Sequence, residues 1–185
     1  MLYKLIYYFQ GDLSWLNVFR YITFRTILAA LTALLISFCF GGWAIRKLRS
    51  MQIGQYIRDD GPPNHKEKAG TPTMGGCLIL PAIVLPTLMW ADPTNIYIWI
   101  VVFVILSFGA IGFADDYLKI AGKDSKGLRA RSKFTLQLLF AFVVALALYL
   151  YPDFDTQLNV PLLKSVAPDL GPGYILFIVV VIVGA

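Results

Sequence analysis

Five stretches of this chain, at 26–45, 71–91, 93–114, 134–152 and 170–185, carry no charged side chain. Their apolar residues are nearly continuous and do not recur at the three-and-four spacing of a helix with one wet face. A bilayer crossing needs about 20 apolar residues at roughly 1.5 Å rise each. The first four stretches meet that length and predict transmembrane helices. The fifth would cover roughly 24 Å as a helix, short of a hydrocarbon core of about 30 Å. It ends on Val183, Gly184 and Ala185 without a polar flank. The expectation is an incomplete fifth span, with the chain as the front part of a longer one. The predicted fold is all-α: a polytopic transmembrane helical bundle forming a single transmembrane domain over 1–185. Pro81 and Pro86 should bend the second span, which membrane helices tolerate where neighbours resupply the lost hydrogen bonds.

The polar segments between these stretches differ in charge. Segment 46–70 carries Arg46, Lys47, Arg49, Arg58, Lys66 and Lys68, and segment 115–133 carries Lys119, Lys123, Lys126, Arg129, Arg131 and Lys133. Those twelve are most of the 16 Lys and Arg residues. The turn around Asp92 has none, and segment 153–169 sets Lys164 against Asp153, Asp155 and Asp169. The positive-inside rule then puts both basic loops in the cytoplasm and the N-terminus outside; Lys4, Arg20 and Arg25 oppose this without reversing the asymmetry. The start of the chain lacks the compact apolar core and small-residue cleavage site of a signal peptide. Tyr97, Trp99, Tyr149 and Tyr151 fall near predicted span ends, where amphipathic rings settle at the interface.

Composition narrows the picture further. Hydrophobic residues make up 58% of the chain and charged ones 15%, against about 45–50% and about 25% in a soluble domain. The net charge of +5 would ordinarily raise nucleic acid as a partner. Its concentration on one side of the predicted bundle points to membrane topology instead, so nucleic acid is not expected. Cys39 and Cys77 lie inside apolar stretches without metal-ligand or redox spacing. They read as small buried hydrophobes, which sets aside disulfide frameworks and zinc sites.

Two segments carry candidate chemistry. In the first, running from Arg58 to Gly76, Asp60-Gly61-Pro62-Pro63 is a turn by its residue chemistry. Thr71-Pro72 looks like a helix N-cap followed by proline at the first helical position. A second span starting there would point free N–H groups into the basic compartment. With Lys68 close by and small residues at Gly75 and Gly76, that end would suit a phosphate group. Equally open is a capped helix whose glycines only admit a neighbouring helix. His65, alone at a loop tip, reads as solvated.

In the second segment, Gly112-Phe113-Ala114-Asp115-Asp116-Tyr117-Leu118-Lys119, two carboxylates terminate the third span. A helix C-terminus disfavours negative charge, and adjacent like charges add to the cost. Lys119 follows Asp115 by four residues and Asp116 by three, so local ion pairs are one explanation. The other is a polar cavity in which a metal ion or phosphate-binding lysines gather, and the pair is read as functional because the helix end offers it no favourable dipole. The basic run from Lys123 to Lys133 is, on its own, a topology signal with affinity for anionic membrane lipid.

Together these residues resemble the phospho-N-acetylmuramoyl-pentapeptide-transferase family. The resemblance rests on the Asp-Gly-Pro…His…Lys…Gly-Thr-Pro-Thr-Met-Gly-Gly pattern at 60–76, the Asp-Asp-Tyr pattern with its lysine at 112–119 and the Lys-Gly-Leu pattern with its basic residues at 126–133. It also includes Asn17-Val18-Phe19 and Thr23-Phe24-Arg25 ahead of the first span. It implies an enzyme of about ten helices in the bacterial inner membrane, with a cytoplasmic active site. Such an enzyme transfers phospho-N-acetylmuramoyl-pentapeptide from UDP to undecaprenyl phosphate with Mg²⁺, releases UMP and forms the first lipid-linked precursor of peptidoglycan. UDP-MurNAc-pentapeptide, undecaprenyl phosphate and membrane lipid are the implied partners, and the reading admits a homodimer.

By the same resemblance Asp115 and Asp116 are implicated in catalysis, while Lys68, Thr73, Lys119, Lys123 and Lys133 match positions lining or flanking the substrate cleft. The family's later motifs, including a metal-binding aspartate, would lie beyond residue 185. The expectation is therefore that these 185 residues alone are inactive. Such chemistry needs cations, because several phosphate charges meet in one place. A base is needed less, since a phosphate monoester with a second pKa of about 6 is mostly dianionic at neutral pH. Asp115 as base, as nucleophile and as organiser of a metal all remain open. A transporter subunit and a non-catalytic assembly fragment are the competing classes; the first predicts ionisable residues at mid-span, and none is present.

Overall fold

A computed structural model describes residues 2–9, 14–50, 74–122, 127–152, 154–158 and 167–185. The elements in chain order are α1 (Leu2–Phe9), a 3-10 turn (Ser14–Arg20), α2 (Ile22–Ser50), α3 (Gly76–Trp90), α4 (Ile96–Ala121), α5 (Ala130–Tyr149) and α6 (Gly173–Gly184). Among the described residues the one β feature is an isolated antiparallel bridge between Gln157 and Asp169. The fold is all-α, and α2, α4 and α5 are long and apolar enough to cross a membrane. The chain divides into two compact units, Met1–Leu128 and Arg129–Ala185.

Helix boundaries differ from the apolar stretches for local reasons. At 29 residues, α2 continues through Arg46, Lys47 and Arg49, and α4 runs on past Asp115 and Asp116 to Ala121. Charge ends an apolar stretch but not a helix. Lys and Arg, which α2 meets, are good helix formers, and in α4 the aspartates, poorer ones, are tied to Lys119 one turn on. The opposite correction applies to α3, which begins at Gly76 and not at Thr71. Met74 has φ 69°, the left-handed region, which a right-handed helix cannot pass through. Thr71 and Pro72 lie outside the described residues, and Gly75 occupies the cap position with no side-chain bond. The first turn is instead closed by backbone, with the Cys77 N–H donating to the Met74 carbonyl at 3.0 Å. In the same way α6 starts at Gly173 because Gly171, at φ 48°, and Pro172 make a turn first.

Within the first unit, α2 and α3 pack together, and α4 follows α3 after a short turn. The Trp90 indole N–H donates to the Thr32 hydroxyl at 3.0 Å, and that hydroxyl donates to the Leu28 carbonyl at 2.7 Å. Phe19 stacks on Trp90 with ring centroids 6.0 Å apart. The α3–α4 turn is held by Asp92, which accepts from the Thr94 hydroxyl at 2.6 Å and the Thr94 N–H at 3.0 Å. These bonds, the hydroxyl's first, hold the Asp92 carboxyl below its ordinary range. Asn95 then caps α4 by accepting from the Tyr97 N–H at 2.9 Å.

Glycine decides one helix crossing. A Cβ on Gly109 of α4 would stand 2.5 Å and 2.8 Å from the two methyls of Leu80 on α3, so the helices meet where a side chain is missing. Gly109→Val in the full-length protein is expected to cost about 1–3 kcal/mol by overpacking. Gly109→Ala should cost less, since leucine methyls are the end of a flexible side chain. Thermal unfolding in detergent checks this, and equal melting of Gly109→Val and wild type would contradict the packing described.

In the second unit, α5 and α6 pack through Ala141, Ala145, Ile178 and Val179. Ala141 and Ala145 have no exposed surface, which small residues four apart permit by letting backbones approach. Phe154 meets Tyr174 edge to face at 5.2 Å. Asp169 accepts from the Thr156 hydroxyl and from the Gly171 N–H, which together lower its pKa.

Most other apolar side chains face outward. The exposed set includes Leu31, Leu34, Leu35, Phe38 and Trp43 on α2, which has no buried residue. Cys39 and Cys77 are free, and both are exposed, not buried as their apolar surroundings predict. The reason is general to this chain: an apolar stretch in a membrane helix does not imply burial in protein, because lipid is also an apolar solvent.

Candidate functional site

The chemistry-bearing residues that the structure brings together lie at the C-terminal end of α4. Asp115 and Asp116 sit one and a half turns before Ala121, with Lys119 in the last turn. The Lys119 ammonium donates to Asp115 Oδ2 at 2.7 Å and to Asp116 Oδ1 at 3.2 Å. These are the i,i+4 and i,i+3 neighbours that one helix face must bring together. The lysine also puts a cation where the helix dipole is negative, which offsets part of the cost of two carboxylates at that end.

Asp115 has a further partner distant in sequence. Its Oδ1 accepts from the Leu128 backbone N–H at 2.8 Å, across thirteen positions of chain. One oxygen therefore faces a side-chain cation and the other a backbone dipole. The Asp115 side chain is 15% exposed and the Asp116 side chain 33%. Asp115 is thus the anchored member of the pair and Asp116 the more accessible one.

Gly127 makes the anchor possible. A Cβ there would lie 2.8 Å from Lys119 Cε and 2.9 Å from the Asp115 carbonyl oxygen, and would also collide with Asp115 Oδ1. Composition and spacing did not single out Gly127 or the Leu128 amide. The available signal was a glycine between two basic residues just ahead of a helix, a pattern that ordinarily means only a turn.

The remaining candidates are placed differently. Lys68, Thr73 and Lys123 lie outside the described residues. Met74, next to Thr73, is buried with its left-handed φ, a strained geometry for a bulky residue. Lys133 belongs to the second unit, in the first turn of α5 together with Arg131. Basic residues at a helix N-terminus, like acidic ones at the end of α4, oppose the macrodipole. A groove of about 430 Å³ lies between α2 and α3, lined by Phe40, Trp43, Lys47 and Pro81 among others. It holds no carboxylate and takes no part in the aspartate cluster.

The arrangement can do two things chemically. It presents a pair of carboxylates on a rigid helix, and it holds an ammonium between them that can turn to an anion. Among the described residues no group of three or more His, Cys, Asp or Glu side chains gathers to hold a metal. Among the described residues, a cation here would meet two protein carboxylates, Asp115 and Asp116. That number suits Mg²⁺, which is commonly bound by one or two carboxylates with the remaining positions filled by water and substrate phosphate.

Residues 68–80 match the model described as phospho-N-acetylmuramoyl-pentapeptide-transferase signature 1. Three curated proteins, each named phospho-N-acetylmuramoyl-pentapeptide-transferase, are similar to the whole of this chain. That of Desulfatibacillum aliphaticivorans is 54% identical over 186 residues, that of Pelobacter propionicus 52% over 185 residues and that of Syntrophus aciditrophicus 50% over 185 residues. Each alignment takes in 100% of this chain and 52% of the relative, so the chain spans about half the length of the curated relatives it matches.

Proposed function

We propose, from homology to phospho-N-acetylmuramoyl-pentapeptide-transferases that extends over the whole of this chain and about half of theirs, that it supplies the aspartate–lysine part of such an enzyme's active site. The reaction is the transfer of phospho-N-acetylmuramoyl-pentapeptide from UDP to undecaprenyl phosphate. A phosphate oxygen of the lipid attacks the sugar-linked phosphorus of the nucleotide, the bond between the two phosphates breaks, and UMP departs with its electron pair. The observation that carries the reading is Lys119 held between Asp115 and Asp116 at the end of a membrane helix, in a chain whose residues 68–80 match the family signature.

Phosphoryl transfer asks mainly for positioning and charge stabilisation. Two phosphate-bearing substrates repel each other, and cations must offset that repulsion. Lys119 is one such cation already fixed in place, and Lys68, Thr73, Lys123 and Lys133 match cleft positions of the family by sequence. Asp116 has the more accessible carboxylate and suits contact with a substrate-borne Mg²⁺, which supplies charge neutralisation on phosphate oxygens when bound. Asp115 holds Lys119 and is itself held, so it keeps the cluster in one geometry. The positive-inside rule supports a reading in which this end of α4 faces the cytoplasm, where a nucleotide substrate is available, with the N-terminus outside. The family resemblance supports a bacterial inner membrane. A homodimer fits the same reading.

The test uses the full-length protein in detergent or liposomes with UDP-MurNAc-pentapeptide, undecaprenyl phosphate and Mg²⁺. UMP release that requires both substrates and stops on chelation of the metal is the expected result. UMP release that is independent of the lipid phosphate would mean simple hydrolysis and would overturn the transferase reading.

A further inference from the structure

We propose that Gly127 is a positioning residue for this transfer, acting with the Leu128 backbone N–H as a latch that fixes the Asp115 carboxylate; this rests on the function proposed above. A carboxylate at a helix end, beside a second carboxylate, has little reason to hold one orientation. Its neighbour Asp116 repels it, and a single bond to Lys119 leaves it free to turn about its own axis. The second bond removes that freedom. Lys119 holds Oδ2 at 2.7 Å and the Leu128 N–H holds Oδ1 at 2.8 Å, so the plane of the group is set from both sides. Donors that pin both oxygens are how a supporting shell keeps a reactive carboxylate in its working geometry.

The backbone can deliver that N–H only by coming close to α4. At residue 127 the approach leaves no room for a Cβ, which would meet the Asp115 carbonyl oxygen at 2.9 Å, Lys119 Cε at 2.8 Å and the Asp115 carboxylate itself. The lysine carbon can yield, being part of a flexible stem. The carbonyl cannot, because it belongs to the helix backbone. Gly127 has no left-handed φ to explain its identity, so space is the reason for glycine here. Any side chain must either lift the Leu128 N–H from Asp115 or push the carboxylate off its present position.

The experiment reads both consequences in the full-length protein. Gly127→Ala is expected to lower kcat by roughly 10²-fold, the scale of a misplacement of about 1 Å in a positioned group. KM for the nucleotide should stay near that of wild type, and amide exchange at Leu128 should quicken. Unchanged kcat in a folded Gly127→Ala protein overturns the proposal, as does a loss of rate that only follows the loss of folded protein. A second comparison does not depend on activity or on that variant folding. The Leu128 amide should be protected from exchange in wild type and in Asp115→Asn, whose side-chain oxygen can still accept, but not in Asp115→Ala. Equal exchange in all three overturns the latch. If wild type releases no UMP yet this exchange pattern holds, the functional reading falls and the latch stands as a structural device.

Discussion

Asp115→Asn in the full-length protein is expected to lower UMP release by roughly 10²- to 10⁴-fold, the range typical for removing a positioned ionisable group from a reacting centre, while leaving the protein folded. The substitution is nearly isosteric. Asparagine keeps an oxygen that can accept from the Leu128 N–H, which sits 2.8 Å from Oδ1. It loses the negative charge and turns an amide NH₂ toward the Lys119 ammonium, where an oxygen now accepts at 2.7 Å. The backbone anchor therefore survives while the ion pair is lost, so the variant separates the two jobs of this side chain.

The size of the effect argues between the explanations open for the pair. A surface-type ion pair along a helix contributes only about 0.3–0.5 kcal/mol, and its loss would be almost invisible in a rate assay. If Asp115 and Lys119 served helix stability alone, Asp115→Asn would keep nearly all activity. A loss of two or more orders of magnitude with unchanged melting places the carboxylate in the chemistry. Retained activity would leave the aspartate as a local partner for a lysine and would remove the main residue assigned to catalysis here.

The parts of this molecule that were legible in the sequence are those governed by short spacings. The uncharged stretches announced apolar helices, and the placement of Asp115, Asp116 and Lys119 followed from three- and four-residue separations that any helix turns to one side. Boundaries were less legible. Apolarity marks where lipid can be, whereas the helix ends where the backbone turns, at Met74 with φ 69° or at Gly171 with φ 48°. Exposure was misread for Cys39 and Cys77, since in a membrane chain an apolar residue has lipid as well as protein to face. The bond from Leu128 to Asp115 could not be read at all. It joins residues thirteen apart across a change of direction, and its trace in the sequence is a glycine at 127, where the structure leaves no room for a Cβ.

Lys119 offers the second large expectation. Lys119→Met keeps the length and the apolar stem of the side chain and removes its charge. Its side chain is 36% exposed in the present arrangement, so water already screens the two ion pairs and their contribution to stability is small. The melting temperature should move little. Turnover should fall by roughly 10²- to 10³-fold, the scale of removing one preorganised charge-stabilising donor. The substitution removes the ammonium that bridges the two carboxylates, so both face incoming phosphates with less offsetting charge. That repulsion acts on substrate binding as well as on the reacting state, so KM for the nucleotide should rise while kcat falls. Lys119→Arg should recover part of the rate, because its charge is kept. Full recovery is not expected, since a planar guanidinium cannot reproduce the single-point contacts now made at 2.7 Å and 3.2 Å. A methionine variant that loses rate only as it loses folded protein would assign Lys119 to the helix end. One that melts as wild type but turns over slowly, with arginine in between, assigns it to the phosphates.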